Sequence, residues 1–176
     1  MCTRLELLSF VMIFIMFHPK VWALNCDKKK DILDFLKLNK TQFIKKLTDY
    51  SRENDKELGL NVSDINQARS VAYNNGVFKE FGFDWTTSSS YKSRLPISDS
   101  FGKKVGVQVS DPSSGSILRI RLDWDESQGA HYNVEITHKN DQVKVNTLKY
   151  AVTFGCEGRR CSKDEYNKFI SQLQGP

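Results

Sequence analysis

Residues Leu118 to Thr137, LRIRLDWDESQGAHYNVEIT, decide the fold of this chain because apolar and polar side chains alternate on both sides of a turn. Alternation with a period of two is typical of β-strands that bury one face. Folding the two strands over the turn at Glu126–Gly129 places Asp123 opposite His131. The stretch therefore predicts an antiparallel hairpin with one apolar face and one polar face.

The predicted polar face combines charged and hydrogen-bonding groups in cross-strand pairs. A carboxylate beside an imidazole fixes its tautomer and makes it a general acid or base, and arginines can hold a phosphate and stabilise developing charge. Such groups could cleave RNA without a metal ion, although similar pairs also occur on ordinary solvated sheets. The candidate catalytic residues are His131, Asp123, Arg121, Arg119, Asn133 and Glu135. His138 has the opposite parity, so His131 is strongly preferred.

The same two-residue period extends to both sides of the hairpin. Val105, Val107 and Val109 alternate with polar residues, and a long strand is expected over residues 143–154. Its apolar residues switch parity, which predicts a bulge near Asn146–Thr147. Residues 103–154 are thus expected to form an antiparallel meander of about four strands.

Residues 24–90 have a mainly helical pattern, with apolar residues three and four apart. Asn39 and Gln42 are spaced as an N-terminal capping pair, and Ser63 could cap a further helix. Ser162 and Glu165 form a capping box that opens a closing helix over residues 162–174. The predicted fold class is α+β, with helices covering one face of the sheet.

An aromatic segment, Val77 to Trp85, precedes a Ser/Thr-rich loop. Two interpretations are open. Phe78, Phe81, Phe83 and Trp85 could stack on bases or sugars. More commonly such a cluster belongs to the core, and that interpretation is preferred.

Residues 1–23 are expected to be a signal peptide, because Arg4 precedes an apolar run from Leu7 to Phe17 and Ala23 ends a small-residue cleavage site. A run this short does not predict a stable membrane span. The rest of the chain, residues 24–176, is expected to form a single secreted domain. Its apolar content, 39% of all residues, excludes a wholly disordered or collagen-like chain.

The cysteines are consistent with secretion. The predicted disulfide is Cys156–Cys161, because the two residues are close enough to pair across a turn; the alternative is that Cys26 pairs with one of them. Two sequons make Asn39 and Asn61 candidate glycosylation sites. No set of residues predicts a metal site, and no cofactor is expected.

The segment Arg119 to Glu135, RIRLDWDESQGAHYNVE, resembles part of the C-terminal effector domains of bacterial polymorphic toxins. The resemblance covers about a tenth of the chain, and the matching positions are Arg121, Asp123, Asp125, Gly129, His131, Asn133 and Glu135. Many of those toxin domains are nucleases, so the resemblance implies a nuclease. The signal peptide, the sequons and the cysteines depart from that family.

Two functions follow from these observations. The first is a secreted nuclease-like toxin or effector with RNA as its substrate. The second is a non-catalytic secreted protein that binds a partner, such as a host protein, through its aromatic and basic surface. The net charge of +5 is compatible with an anionic partner without requiring one. Whether the chain is an enzyme is therefore left open by the sequence.

Overall fold

The computed structural model describes residues 31–73, 76–83, 94–99, 102–139 and 145–173. The predicted signal peptide, Cys2, Cys26 and Trp85 lie outside these ranges. Four helices and a 3-10 helix are described: α1 over residues 31–36, α2 at Lys40–Asn54, α3 at Ile65–Tyr73, the 3-10 helix at Gly76–Phe81 and α4 at Lys163–Leu173. The strands are β1 (Leu58–Val62), β2 (Arg94–Ser98), β3 (Lys104–Asp111), β4 (Ser116–Asp125), β5 (Gly129–Lys139), β6 (Val145–Cys156) and β7 (Arg159–Arg160).

The helix ends are stabilised by capping groups. Asn39 and Gln42 form the predicted capping box of α2, and Ser162 and Glu165 form that of α4. The third predicted cap is different, because Asp64 rather than Ser63 accepts the free amides at the start of α3. A carboxylate at this position also interacts favourably with the positive end of the helix dipole.

The sheet has the strand order β1-β6-β5-β4-β3-β2, with β7 paired to the end of β6. The α+β class is confirmed, but the expectation of a four-strand antiparallel meander is wrong. β1 interrupts the predicted helical part and pairs in parallel with β6, which makes the sheet mixed. Five residues are too short a stretch for their alternation to stand out between two helices. β2 was not predicted either, and it forms the other edge of the described sheet.

The predicted bulge near Asn146–Thr147 is also wrong. The β5–β6 register runs without a shift from Lys139–Val145 to His131–Thr153. The parity of the apolar residues changes because Val145 is exposed rather than because the backbone is irregular. The register shift that the structure does contain lies in β2, between Ile97 and Ser98.

The hydrophobic core lies between the helices and the apolar face of the sheet. α2 and α3 pack against β6, α3 also packs against β5, and α4 packs against β3, β4 and β5. Aromatic rings form many of these contacts, as in the pairs Phe43–Tyr150, Tyr73–Tyr132 and Phe154–Phe169. The described helices therefore lie on the apolar face, opposite the polar side chains of the hairpin.

Candidate functional site

The β4–β5 hairpin has the predicted register. Asp123 lies opposite His131, Arg121 opposite Asn133, and Arg119 opposite Glu135. On the other face, Trp124 is partly buried, and the remaining apolar residues are at most 1% exposed: Leu118, Ile120, Leu122, Tyr132, Val134 and Ile136. The alternation therefore separates core from polar residues. All six predicted site residues are therefore on the polar face of the hairpin.

A chain of hydrogen bonds joins four of these side chains. Arg121 Nε donates to Asp123 Oδ2 at 2.6 Å, and Asn133 Nδ2 donates to the same oxygen at 2.6 Å. Asn133 Nδ2 also lies 3.3 Å from His131 Nε2. Asn133 thus connects the carboxylate to the imidazole, which was expected to contact Asp123 directly.

The backbone sets the tautomer of His131. Its Nδ1 lies 2.9 Å from the Gly129 carbonyl oxygen, which can only accept, so Nδ1 carries the hydrogen. In the neutral ring Nε2 then holds the free electron pair and can accept a proton. The carboxylate near Nε2 is Asp125 Oδ2, at 3.8 Å, rather than Asp123.

Asp125 has two roles at the end of the hairpin. Its Oδ1 accepts hydrogen bonds from the Ser127 hydroxyl and from the amides of Ser127 and Gln128, which holds the turn. These bonds, led by that of the Ser127 hydroxyl and assisted by His131, lower the pKa of Asp125. Asp125 is thus positioned to stabilise a protonated His131. Its position at the end of a strand, two residues beyond Asp123, is the sequence signal that could have identified it.

The remaining predicted site residues form a second group. Arg119 donates to Glu135 at 3.0 Å and to Gln108 at 2.7 Å, and Lys149 of β6 lies 3.4 Å from Glu135. These charges compensate one another on the surface. Arg119 and Glu135 therefore lie beside the hydrogen-bonded network of Arg121, Asp123, Asn133 and His131, and neither contacts the imidazole.

A groove of about 540 Å³ adjoins the polar face. Its lining includes Lys149, Ala151, Gly59 and Gln128, together with Tyr50 of α2. Ala151 is the register partner of Asn133, so the groove begins one strand away from the network. His131 itself is only 3% exposed, and the half-exposed Asp125 carboxylate lies beside its Nε2.

His138 and the described phenylalanines of the aromatic segment belong to the core, whereas Trp85 lies outside the described residues. The His138 ring packs against Phe81 with 5.4 Å between ring centroids, on the face opposite to His131. Phe78, Phe81 and Phe83 are at most 2% exposed, so none of the three offers a stacking surface. Their burial agrees with the interpretation preferred from the sequence.

The cysteine and sequon positions are also defined. Cys156 and Cys161 form a disulfide, which confirms the preferred pairing. Asn39 is the N-cap of α2. Asn61 lies on β1, where its side-chain oxygen accepts a hydrogen bond from Thr153. Thr153 is the register partner of His131, so Asn61 borders the polar face.

Within the described ranges, no helix is long and apolar enough to cross a bilayer. No three His, Cys, Asp or Glu side chains of those ranges are grouped as metal ligands.

Comparison with known proteins gives no relative: no family model, no curated protein and no solved structure matches the chain.

Proposed function

We propose that this protein is a secreted, nuclease-like toxin or effector that cleaves RNA without a metal ion, by acid–base chemistry on the polar face of the β4–β5 hairpin. The observation that carries the proposal is the hydrogen-bonded series Arg121–Asp123–Asn133–His131, which ends at a nitrogen able to accept a proton. The disulfide suits an oxidising compartment. The resemblance of residues 119–135 to toxin effector domains supports the same activity.

The chemistry needs few groups. His131 Nε2 takes the proton of a ribose 2′-hydroxyl, and the oxygen attacks the adjacent phosphorus. The bond to the 5′-oxygen breaks, and that oxygen takes a proton from water, leaving a 2′,3′-cyclic phosphate and a 5′-hydroxyl. The hydroxide formed from the water takes the proton from the imidazolium, which restores neutral His131. Asp125 stabilises the imidazolium, while Arg121 and neighbouring cations stabilise the charge on the phosphate oxygens.

The test is cleavage of a labelled single-stranded RNA by the purified protein. We expect products with cyclic phosphate ends, no cleavage of the 2′-O-methyl analogue, and the same rate with and without EDTA. His131→Ala should lower the rate about 10²- to 10⁴-fold, the usual contribution of a positioned acid or base. Arg121→Gln should also slow cleavage.

The matched control is His138→Leu, which removes an imidazole from the core face. Assayed at neutral pH, it should cleave at the unmodified rate. Activity that persists in His131→Ala, or that disappears with EDTA, would contradict the mechanism. If the unmodified protein cleaves no RNA, binding without catalysis becomes the better description.

A further inference from the structure

The charge on the hairpin poses a problem for an RNA-binding site. Its polar face contains three basic residues, Arg119, Arg121 and Lys139, and three carboxylates, Asp123, Asp125 and Glu135. With His131 neutral, the formal charge is zero, and Lys139 lies at the end of β5 away from His131. Both arginines are also bonded to carboxylates of the same face. A face of this composition does not attract a polyanion, so cations from other elements must supply that attraction.

The disulfide loop, Cys156–Cys161, brings such a cation to the end of the hairpin. Gly129 has φ +75°, and a Cβ built on it would lie 3.1 Å from the Cys161 carbonyl oxygen and 3.4 Å from Arg160 Cβ. The loop is thus in contact with the residue whose carbonyl oxygen binds His131 Nδ1. Trp124 fixes it further, because its indole nitrogen donates to Cys161 O at 3.1 Å.

Arg159 and Arg160 differ in their availability. Arg159 forms two hydrogen bonds to Glu165, at 2.8 and 3.0 Å, and so fastens the loop to α4. Arg160 is exposed, and its guanidinium has neither a hydrogen bond nor an ion pair within the part of the chain that the structure describes. A free guanidinium presents donors that match phosphate oxygens.

We propose that Arg160 is a substrate-binding residue that holds a backbone phosphate of the RNA next to the one cleaved at His131. The inference rests on the proposed function, and it assigns the disulfide loop a role in substrate binding. Arg160 lies in β7 and pairs with Gly155 of β6, and the disulfide closes the loop at the next residue, Cys161. The backbone of Arg160 is therefore held in place before substrate binds. Only the side chain of Arg160, and not its backbone, then has to be ordered on binding.

The experiment measures binding of a short 2′-O-methyl RNA, which lacks the attacking hydroxyl, at several salt concentrations. Each phosphate contact with a single strand contributes about 0.7 to the slope of log affinity against log salt. Arg160→Gln should reduce that slope by about this amount, and Arg160→Lys should retain most of it. Lys46→Gln is the control, since it removes an exposed charge from α2 without touching the hairpin.

The possible results separate the two proposals. If the unmodified protein cleaves RNA and Arg160→Gln retains both the full slope and the full cleavage rate, the role of Arg160 is wrong and the nuclease proposal stands. If Lys46→Gln lowers the salt slope by the same amount, the loss reflects net charge alone, and the role of Arg160 is again wrong. If the unmodified protein neither cleaves nor binds RNA, both proposals fail together.

Discussion

At the scale of single residues, the two described histidines show how position decides chemistry. His131 has a defined tautomer and one nitrogen directed to Asn133. His138, seven positions further along the same strand, is buried against Phe81, and its Nε2 has no hydrogen-bond partner among the described residues. The ring of His131 is held by polar partners on the hairpin, whereas burial of His138 lowers its pKa because a buried charge is costly.

His138 should make the protein sensitive to acid. Burial lowers the pKa of His138 below its ordinary value of 6.5, and the charge of Lys40 acts in the same direction. The unfolded chain therefore binds the proton more readily, and folding stability is lost as the pH falls through 6.5 towards the folded pKa. Thermal unfolding from about pH 7.5 to about pH 5 should show a steeper fall in Tm for the unmodified protein than for His138→Leu. Parallel profiles would show that His138 is not the group responsible.

At the scale of elements, the disulfide loop connects the hairpin to α4. Cys161 accepts from Trp124 of β4, while Arg159 binds Glu165 in the first turn of α4. The Arg159 hydrogen bond is the main cause that lowers the pKa of Glu165 to about 2. Loop, helix and hairpin end therefore support one another, and the loop should affect the site as well as the fold.

The double variant Cys156→Ser, Cys161→Ser tests this connection. Loss of so short a ring should lower the free energy of unfolding by about 2 kcal/mol on chain-entropy grounds. If the loop also positions Arg160, RNA binding should weaken at temperatures where the variant is fully folded. Denaturant unfolding and binding measured on the same sample separate the two effects. Unchanged stability would show that Trp124 and Glu165 hold the loop without the disulfide.

At the scale of the whole molecule, the strand order aligns residues that are far apart in the chain. Asn61, Thr153, His131 and Asp123 are successive register partners across β1, β6, β5 and β4. The described helices pack on the apolar side of the sheet, opposite this row. The apolar side therefore supplies stability, and the other side holds the polar row.

Substitution of Tyr132 tests whether the apolar side of the sheet supplies the stability. Tyr132 lies opposite Leu122 on the core face, is 1% exposed, and contacts the rings of Tyr73 and Phe154. Tyr132→Ala should lower the free energy of unfolding by about 3–5 kcal/mol, as large aromatic truncations do. Asn133→Ala, one position along on the polar face, should cost far less stability and should impair cleavage. Chemical denaturation of the two variants makes the comparison, and equal losses would contradict the division.

The sequence by itself determined the local features: the hairpin register, the separation of His131 from His138, two capping boxes and the Cys156–Cys161 pairing. Each depends on residues within about twenty positions of one another, where the period of a strand or helix and the length of a turn restrict the geometry. The tertiary structure alone decided that β1 joins β6 in parallel, that Asp125 rather than Asp123 lies near His131 Nε2, and that Arg160 lies beside Gly129. Strand partners and side-chain conformers depend on packing between distant segments, which no local pattern encodes.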